Sequence, residues 1–235
     1  IPSELFLVGA LAGSIDSNCE TEALKAQAVC ARSYAIKQMA GKRLAALGAH
    51  VDDSVSFQVY NNLREDAASI AAVNETKGQV VFAENQVAET YFYSVSAGVS
   101  AGIKEVWFAK KDRSYLMPCV LLGDSRKTLD LQKEADFSEF LQGEIKSYDT
   151  NSPWYRWRTT VSEKQLQQFI SEKIKSRYEK NPTQIQTKQK DGTFFSTGQT
   201  ELGEIKKVEI LKRGKSGVAV MAQITGSKNT LRIYT

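Results

Sequence analysis

The stretch from Glu22 to Met39 constrains this chain more than any other. It carries Ala23, Ala26, Ala28, Ala31 and Ala35 and holds no proline or glycine, so helix is the only regular structure it favours. Ser17 to Glu20 (SNCE) has the spacing of a capping box, and Gly41 follows the far end, which together predict a helix of about five turns. Alanine on most sides leaves few solvating positions, so this helix is expected at the centre of the fold, closely packed. Lys25, Gln27, Arg32 and Tyr34 interrupt it. A polar set on so small and apolar a helix is either hydrogen-bonded inside the fold or faces a cleft. Lys25 is the better cleft candidate, and Arg32 the better buried partner for a carboxylate.

The rest of the chain alternates helical and extended signals. A second Ala-rich helix is expected from Arg64 to Thr76, stopping before Gly78 in a left-handed cap. Gln79 to Phe82 and Gln86 to Tyr93 predict a hairpin around Ala83, Glu84 and Asn85. A Ser- and Gly-rich loop follows, Ser94 to Gly102. Helices are expected at Phe137–Phe140 and at Val161–Tyr178, the latter opening at Ser162 with Ile170 and Ile174 on one stripe. The polar stretch from Lys180 to Thr200 is either a linker or a long hairpin with its tip at Asp191 and Gly192. Glu204–Leu211 and Val218–Thr225 alternate apolar and polar residues around Gly214–Gly217, a second hairpin signal. These elements predict an α+β fold: a packed central helix, a mostly antiparallel sheet built from the hairpins, and a smaller secondary lobe at about 125–200 within a single domain spanning 1–235.

Composition excludes several classes. With 42% apolar and 25% charged residues the chain is neither disordered nor fibrous. No apolar run approaches the roughly 18 residues that cross a bilayer, and the first twelve residues contain Pro2 and Glu4 without a basic leader region, so they read as neither a span nor an intact signal peptide. The net charge of +4 is uneven: residues 151–235 hold 16 Lys and Arg against 7 Asp and Glu. That half can face something anionic, but its basic residues are scattered among Gln, Ser and Thr rather than interleaved with aromatics, which argues against a nucleic-acid groove. Cys19, Cys30 and Cys119 fit no zinc spacing. If the helix begins near Ser17, Cys19 and Cys30 stand about 15 Å apart along its axis, too far for a bridge, so any disulfide would use Cys119.

General catalytic routes fail at once. His50 is the single histidine, and neither a nucleophile elbow nor a phosphate-binding loop is present. Carboxylate chemistry remains. Asp16, Glu20 and Glu22 gather at the start of the first helix, where its dipole favours their charged forms and where simple capping also accounts for them.

Glu22 to Tyr34 (EALKAQAVCARSY) resembles the signature of the SpoIID/LytB family, the stage II sporulation protein D and amidase-enhancer group, departing only at Cys30, where the family has alanine. The resemblance continues through FQVYNN (Phe57–Asn62), AVNETKGQVV (Ala72–Val81), AETYFYSVSAG (Ala88–Gly98), EVW (Glu105–Trp107), SYL (Ser114–Leu116) and Ile205–Gly226 with Arg232. It implies an exported, cell-envelope protein that acts on peptidoglycan glycan strands stripped of stem peptides, as a lytic transglycosylase. One carboxylic acid suffices for that reaction: it protonates the glycosidic oxygen and then helps the muramoyl 6-hydroxyl close a 1,6-anhydro ring without water. Carried over residue by residue, the resemblance implies glycan contacts from Lys25, Gln27, Arg32 and Tyr34 on the helix and from Ser94, Ser96 and Gly98 on the loop. Trp107, Tyr115, Trp154 and Trp157 are further stacking candidates with core packing as the alternative.

The chain departs from the family where the acid belongs. The family's glutamate stands eight residues before Glu22, and here that residue is Ser14, whose hydroxyl is no general acid near neutral pH. Catalysis has been lost with glycan binding kept, or Asp16 or Glu20 supplies the proton, or position 14 has itself been altered. The alternative function is a non-catalytic glycan-binding or regulatory module that engages a cell-wall amidase. Some members carry His and Cys before the Q-V-Y segment. Here His50 stands with Asp52, Asp53 and Phe57, so no structural metal and no cofactor are expected. Where the family has S-G-G, this chain has Ser96, Ala97 and Gly98.

Overall fold

The computed structural model describes residues 2–54, 56–58, 60–107, 109, 111–121, 129–143 and 146–235. Val59 of the FQVYNN segment and residues 125–128, 144 and 145 of the expected lobe lie outside them. The chain divides into two compact units, residues 1–93 and 94–235. The described residues combine helices with two antiparallel sheets, an α+β protein.

The first unit is a three-helix core. Helix α1 (Ser3–Ala12) enters from Pro2, whose φ of −57° suits a position flanking a helix start. The sequence pattern did not indicate this helix. Its apolar residues fall on every face, so no stripe marks it, and it buries Leu7, Val8, Ala10 and Leu11. Helix α2 (Thr21–Ala40) is the Ala-rich helix, beginning later than the SNCE capping box suggested. Residues 16–19 close a turn of their own: the Cys19 amide donates to the Asp16 carbonyl and the Asn18 amide to Asp16 Oδ1. That turn leaves Glu20 at the cap with no side-chain hydrogen bond. The packing is also one-sided at first, for Ala23 and Ala26 are exposed whereas Ala28, Ala31 and Ala35 are buried.

Helix α3 (Ala67–Glu75) starts three residues after the expected Arg64, because the Asp66 carboxylate accepts the Ser69 amide at 2.8 Å and fixes the cap. Leu7, Val8 and Leu11 of α1 meet Leu24, Ala28 and Ala31 of α2 and Ala72 and Val73 of α3 in one cluster. Strands β1 (Phe82–Ala83) and β2 (Gln86–Val87) then pair around Glu84 and Asn85. Both turn residues have positive φ, 51° and 59°, as a type I′ hairpin requires. The loop is therefore two residues, not three, and the paired arms are far shorter than the expected Gln79–Phe82 and Gln86–Tyr93.

The second unit contains the short helix α4 (Ile103–Val106), α5 (Glu134–Gln142), α6 (Glu163–Lys180) and five strands: β3 (Ile185–Lys188), β4 (Phe194–Phe195), β5 (Ile205–Arg213), β6 (Ala219–Gly226) and β7 (Thr230–Tyr234). The sheet order is β4-β3-β7-β6-β5, antiparallel throughout. The Lys180–Thr200 stretch thus resolves as a hairpin. Helix α6 opens at Ser162 as expected, with a capping box in which Ser162 Oγ accepts the Gln165 amide and Gln165 Oε1 accepts the Ser162 amide. It lays Ile174 on the sheet against Ile185, Leu202, Ile224 and Leu231. Gln167 ties it down, donating to the Gly203 carbonyl and accepting the Ile205 amide, both at 2.8 Å.

Candidate functional site

Ser14 lies just beyond the end of α1, half-buried, and its hydroxyl donates to the Ala10 carbonyl at 2.6 Å. It therefore serves one of the orphan carbonyls at the helix terminus. The loop that follows holds Asp16 and Glu20, both exposed. Asp16 Oδ1 takes two hydrogen bonds from Asn18, from the amide and from Nδ2, each 2.9 Å. Glu20 flanks the start of α2, where its carbonyl receives the Ala23 and Leu24 amides.

Two residues missed by sequence reasoning line this end of α1. The Tyr60 ring lies directly against Gly9, where any Cβ would collide with it, and stacks on Phe6 with ring centroids 5.6 Å apart. The Asn61 side chain reaches Gly13. Both belong to the FQVYNN segment, which the resemblance singled out as a block without assigning roles within it. Gln58 of the same block is buried, with neither amide atom hydrogen-bonded among the described residues, and the buried Nε2 of Gln27 is likewise without a partner there. Buried amides left unsatisfied are rare and costly, so both mark places where something polar belongs.

The remaining polar residues of α2 are turned to internal bonds. Lys25 Nζ bridges Glu22 at 2.9 Å and Glu75 at 2.7 Å, and the hydrogen bond to Glu22, then that to Glu75, raises its pKa above the ordinary lysine range. The lysine chosen for a cleft is thus a tie between α2 and α3. Arg32 is only 3% exposed. Its guanidinium meets Glu4 with Nε and Nη2 at 3.1 and 2.8 Å, and donates to the carbonyls of Val73 and Gln79, each at 3.1 Å. It joins α1, α3 and the approach to the hairpin around one buried charge, as the carboxylate pairing anticipated. Ser33 Oγ, also buried, accepts the Val81 amide. Tyr34 meets Tyr91 edge-on at 5.9 Å, and burial pushes its phenol pKa up.

Ser94, Ser96 and Gly98 belong to the second unit. Ser94 is exposed; Ser96 is buried, and its amide and hydroxyl both donate to Asp149 Oδ2, at 2.8 and 3.0 Å. Ser96 Oγ in turn accepts the Gly98 amide, and Arg156 Nε and Nη2 donate to the Ala97 carbonyl. Gly98, with φ of 105°, carries the left-handed conformation, so Ala97 fits without strain. Trp154 and Trp157 are 71% and 66% exposed on the same segment as Asp149 and Arg156, and Trp107 is 48% exposed.

A cavity of about 590 Å³ also opens in the first unit, lined by Glu4 and Phe6 of α1, Arg32, Ile36 and Met39 of α2, residues 50–53 and Tyr60. His50 lies in this loop, among its lining. No group of three or more His, Cys, Asp or Glu side chains converges on a metal-binding geometry among the described residues. Cys19, Cys30 and Cys119 are free thiols, and burial raises the Cys30 pKa. No described helix is long and apolar enough to cross a membrane.

Residues 1–82 match the family model described as Stage II sporulation protein (SpoIID), and residues 101–190 match a domain of unknown function (DUF8618). The family model ends before the later segments of resemblance, and Ser94–Gly98 fall between the two matches. Stage II sporulation protein D of Bacillus subtilis (strain 168) is 31% identical over 121 residues, covering 46% of this chain and 35% of that protein. The amidase enhancer of the same organism is 31% identical over 113 residues, 45% of this chain and 15% of its own length. An uncharacterized protein of Brachyspira hyodysenteriae is 31% identical over 105 residues, 44% and 28% respectively. The chain spans about a third or less of the length of these relatives.

Proposed function

This chain belongs to the SpoIID family through its residues 1–82, and from that premise we propose that it binds peptidoglycan glycan strands in the cell envelope without cleaving them. The observation that carries the reading is Ser14 at the carboxyl end of α1. Helix ends are electrically unequal. A glutamate beyond the last turn of α1 would sit at the negative pole, which disfavours its ionised form and so raises its pKa, the condition a general acid near neutral pH requires. Asp16, Glu20 and Glu22 stand farther along the chain, exposed on the turn before α2 and in its first turn. The substitute acids therefore lack the setting that position 14 has, and a serine there leaves the pole without a proton to give.

Glycan binding draws support from the exposed Trp154 and Trp157, whose rings can stack on sugar faces. Engagement of a cell-wall amidase is the second reading, favoured by the match to the amidase enhancer.

The test uses denuded glycan strands. Wild-type protein should retain them and release no 1,6-anhydromuramoyl products by mass spectrometry. Ser14→Glu should restore cleavage, since a general acid contributes about 10² to 10⁴ in rate once substrate is positioned. Anhydro products from the wild type would end the non-cleaving reading, and Asp16→Asn and Glu20→Gln would then show which acid acts. Absence of strand retention would end the glycan reading.

A further inference from the structure

The cavity of about 590 Å³ in the first unit is unused by the glycan reading, and its chemistry is of another kind. It has the size of a small-molecule site. Phe6, Ile36, Met39 and Val80 give it apolar walls. Two ionic groups meet at its buried side, Glu4 and Arg32, but they neutralise each other, and the Arg32 donors are further occupied by the Val73 and Gln79 carbonyls and Thr76 Oγ1. That pair therefore offers no free charge to a ligand. At the rim stand Asp52 and Asp53, both exposed. Asp52 accepts the Ser54 amide with Oδ1, and hydrogen bonds from Ser54 hold its carboxyl below the usual range. Asp53 makes no hydrogen bond or ion pair among the described residues. Arg43, whose charge helps to hold Asp52 ionised, does not itself line the cavity: its guanidinium covers the Phe57 ring at 4.6 Å and donates to the Ser56 carbonyl.

An apolar chamber whose rim carries two carboxylates against one neighbouring guanidinium selects an occupant that is aliphatic along its length and cationic at its end. We propose that this cavity takes the aminoalkyl side chain of a peptide, of the lysine type, with its methylenes between Ile36 and Met39 and its ammonium between Asp52 and Asp53. Carboxylates on adjacent residues flank one ammonium without requiring the three or more convergent ligands of a metal site. Ser14 is not among the residues that line the cavity, so the site recognises a peptide whatever becomes of the glycan reading.

The probe is Nα-acetyl-lysine amide, whose sole charge is its ε-ammonium, with Nα-acetyl-norleucine amide as the neutral isostere. Titration followed by methyl NMR should shift Ile36 and Met39 with the lysine compound and at least about fivefold more weakly with norleucine, the contribution expected of two partly exposed carboxylates. Asp52→Asn with Asp53→Asn, both on the surface and harmless to the core, should abolish that preference. Ile36→Trp, checked for folding by circular dichroism, should fill the chamber and remove both responses. Equal binding of the two compounds, a preference that survives the double substitution, or no shift at Ile36 and Met39 with the lysine compound would each overturn the proposal. No glycan takes part, so failure here leaves the glycan reading untouched, and failure of strand retention leaves this one intact.

Discussion

Each unit packs its elements on an apolar cluster, but the first adds buried polar bonds between its elements where the second does not. Residues 1–93 bury polar groups: Arg32, Ser33, Ser69 and Thr76 are all inside, each bonded across or within elements. The main cluster of residues 94–235 is aliphatic, Ile174, Ile185, Leu202, Ile224 and Leu231, and its buried polar bonds serve loops, as Ser96 does with Asp149. An apolar core tolerates drift in sequence as long as volume is kept, whereas a buried charge demands its partner. The polar residues of α2 that look like a binding surface are in large part this internal scaffolding.

The sharpest way to break that contrast is Arg32→Met. It fits the space but leaves Glu4 and the Val73 and Gln79 carbonyls without their donor. Removing one partner of a buried pair costs about 3–5 kcal/mol. Urea denaturation should register the loss, and hydrogen exchange should locate it in α1, α2 and α3. In the second unit the matching lesion is Leu231→Ala, at a fully buried position. A cavity there should cost about 2–5 kcal/mol and raise exchange in β3, β6 and β7. If each substitution raised exchange equally in both units, the division of the chain into two independently cemented bodies would fail.

Asp149→Ala probes the loop rather than a core. It removes the shared acceptor of the Ser96 amide and hydroxyl, and hydrogen bonds to a charged group contribute about 1.5–3 kcal/mol. The Ser96 amide and hydroxyl donors would be left buried without that acceptor. The expected signature is faster exchange at Ser96 and Gly98 with β5, β6 and β7 unaffected; an unchanged loop would mean that Arg156 alone braces it through Ala97.

How much of this was legible beforehand depended on whether the decisive interaction was local. The opening of α6 was, because Ser162 and Gln165 make their capping box within one turn. The Asp191–Gly192 tip was legible for the same reason: Asp191 Oδ1 accepts the Thr193 amide at 2.9 Å. Ser17 to Glu20 presents the same sort of pattern and fails, since the Asp16–Cys19 turn competes for those residues and no sequence rule weighs one turn against another. Helix α1 was hidden because burial on several sides erases the periodicity that betrays a helix. Arg32 was correctly matched to a carboxylate by type, yet Glu4 as the partner depends on the three-dimensional position of α1. Gln58 and Tyr60 could be noticed only as members of a block of resemblance, for burial is a property of the fold and not of the letters around a residue.

The smallest expected effect concerns a single cap. Asp66 accepts the Ser69 amide and hydroxyl at 2.8 and 2.7 Å, and the backbone bond above all holds its carboxyl below the ordinary aspartate range. A carboxyl depressed on folding stabilises the native state fully above its unfolded pKa, near 3.9, and that contribution fades as pH falls through the lower folded value. Asp66→Ala should therefore cost about 1 kcal/mol at neutral pH, as loss of a helix cap does. The gap between wild type and variant should narrow once pH drops below about 4, because the protonated cap of the wild type no longer accepts as a carboxylate. Asp66→Asn, which keeps an acceptor oxygen without the charge, should lie between the two and show little of this pH dependence. Denaturation midpoints at pH 7 and pH 3 decide the matter: a gap that stays constant would assign the effect to the geometry of the turn at Asp66, and the first unit would then owe nothing to this carboxylate's charge.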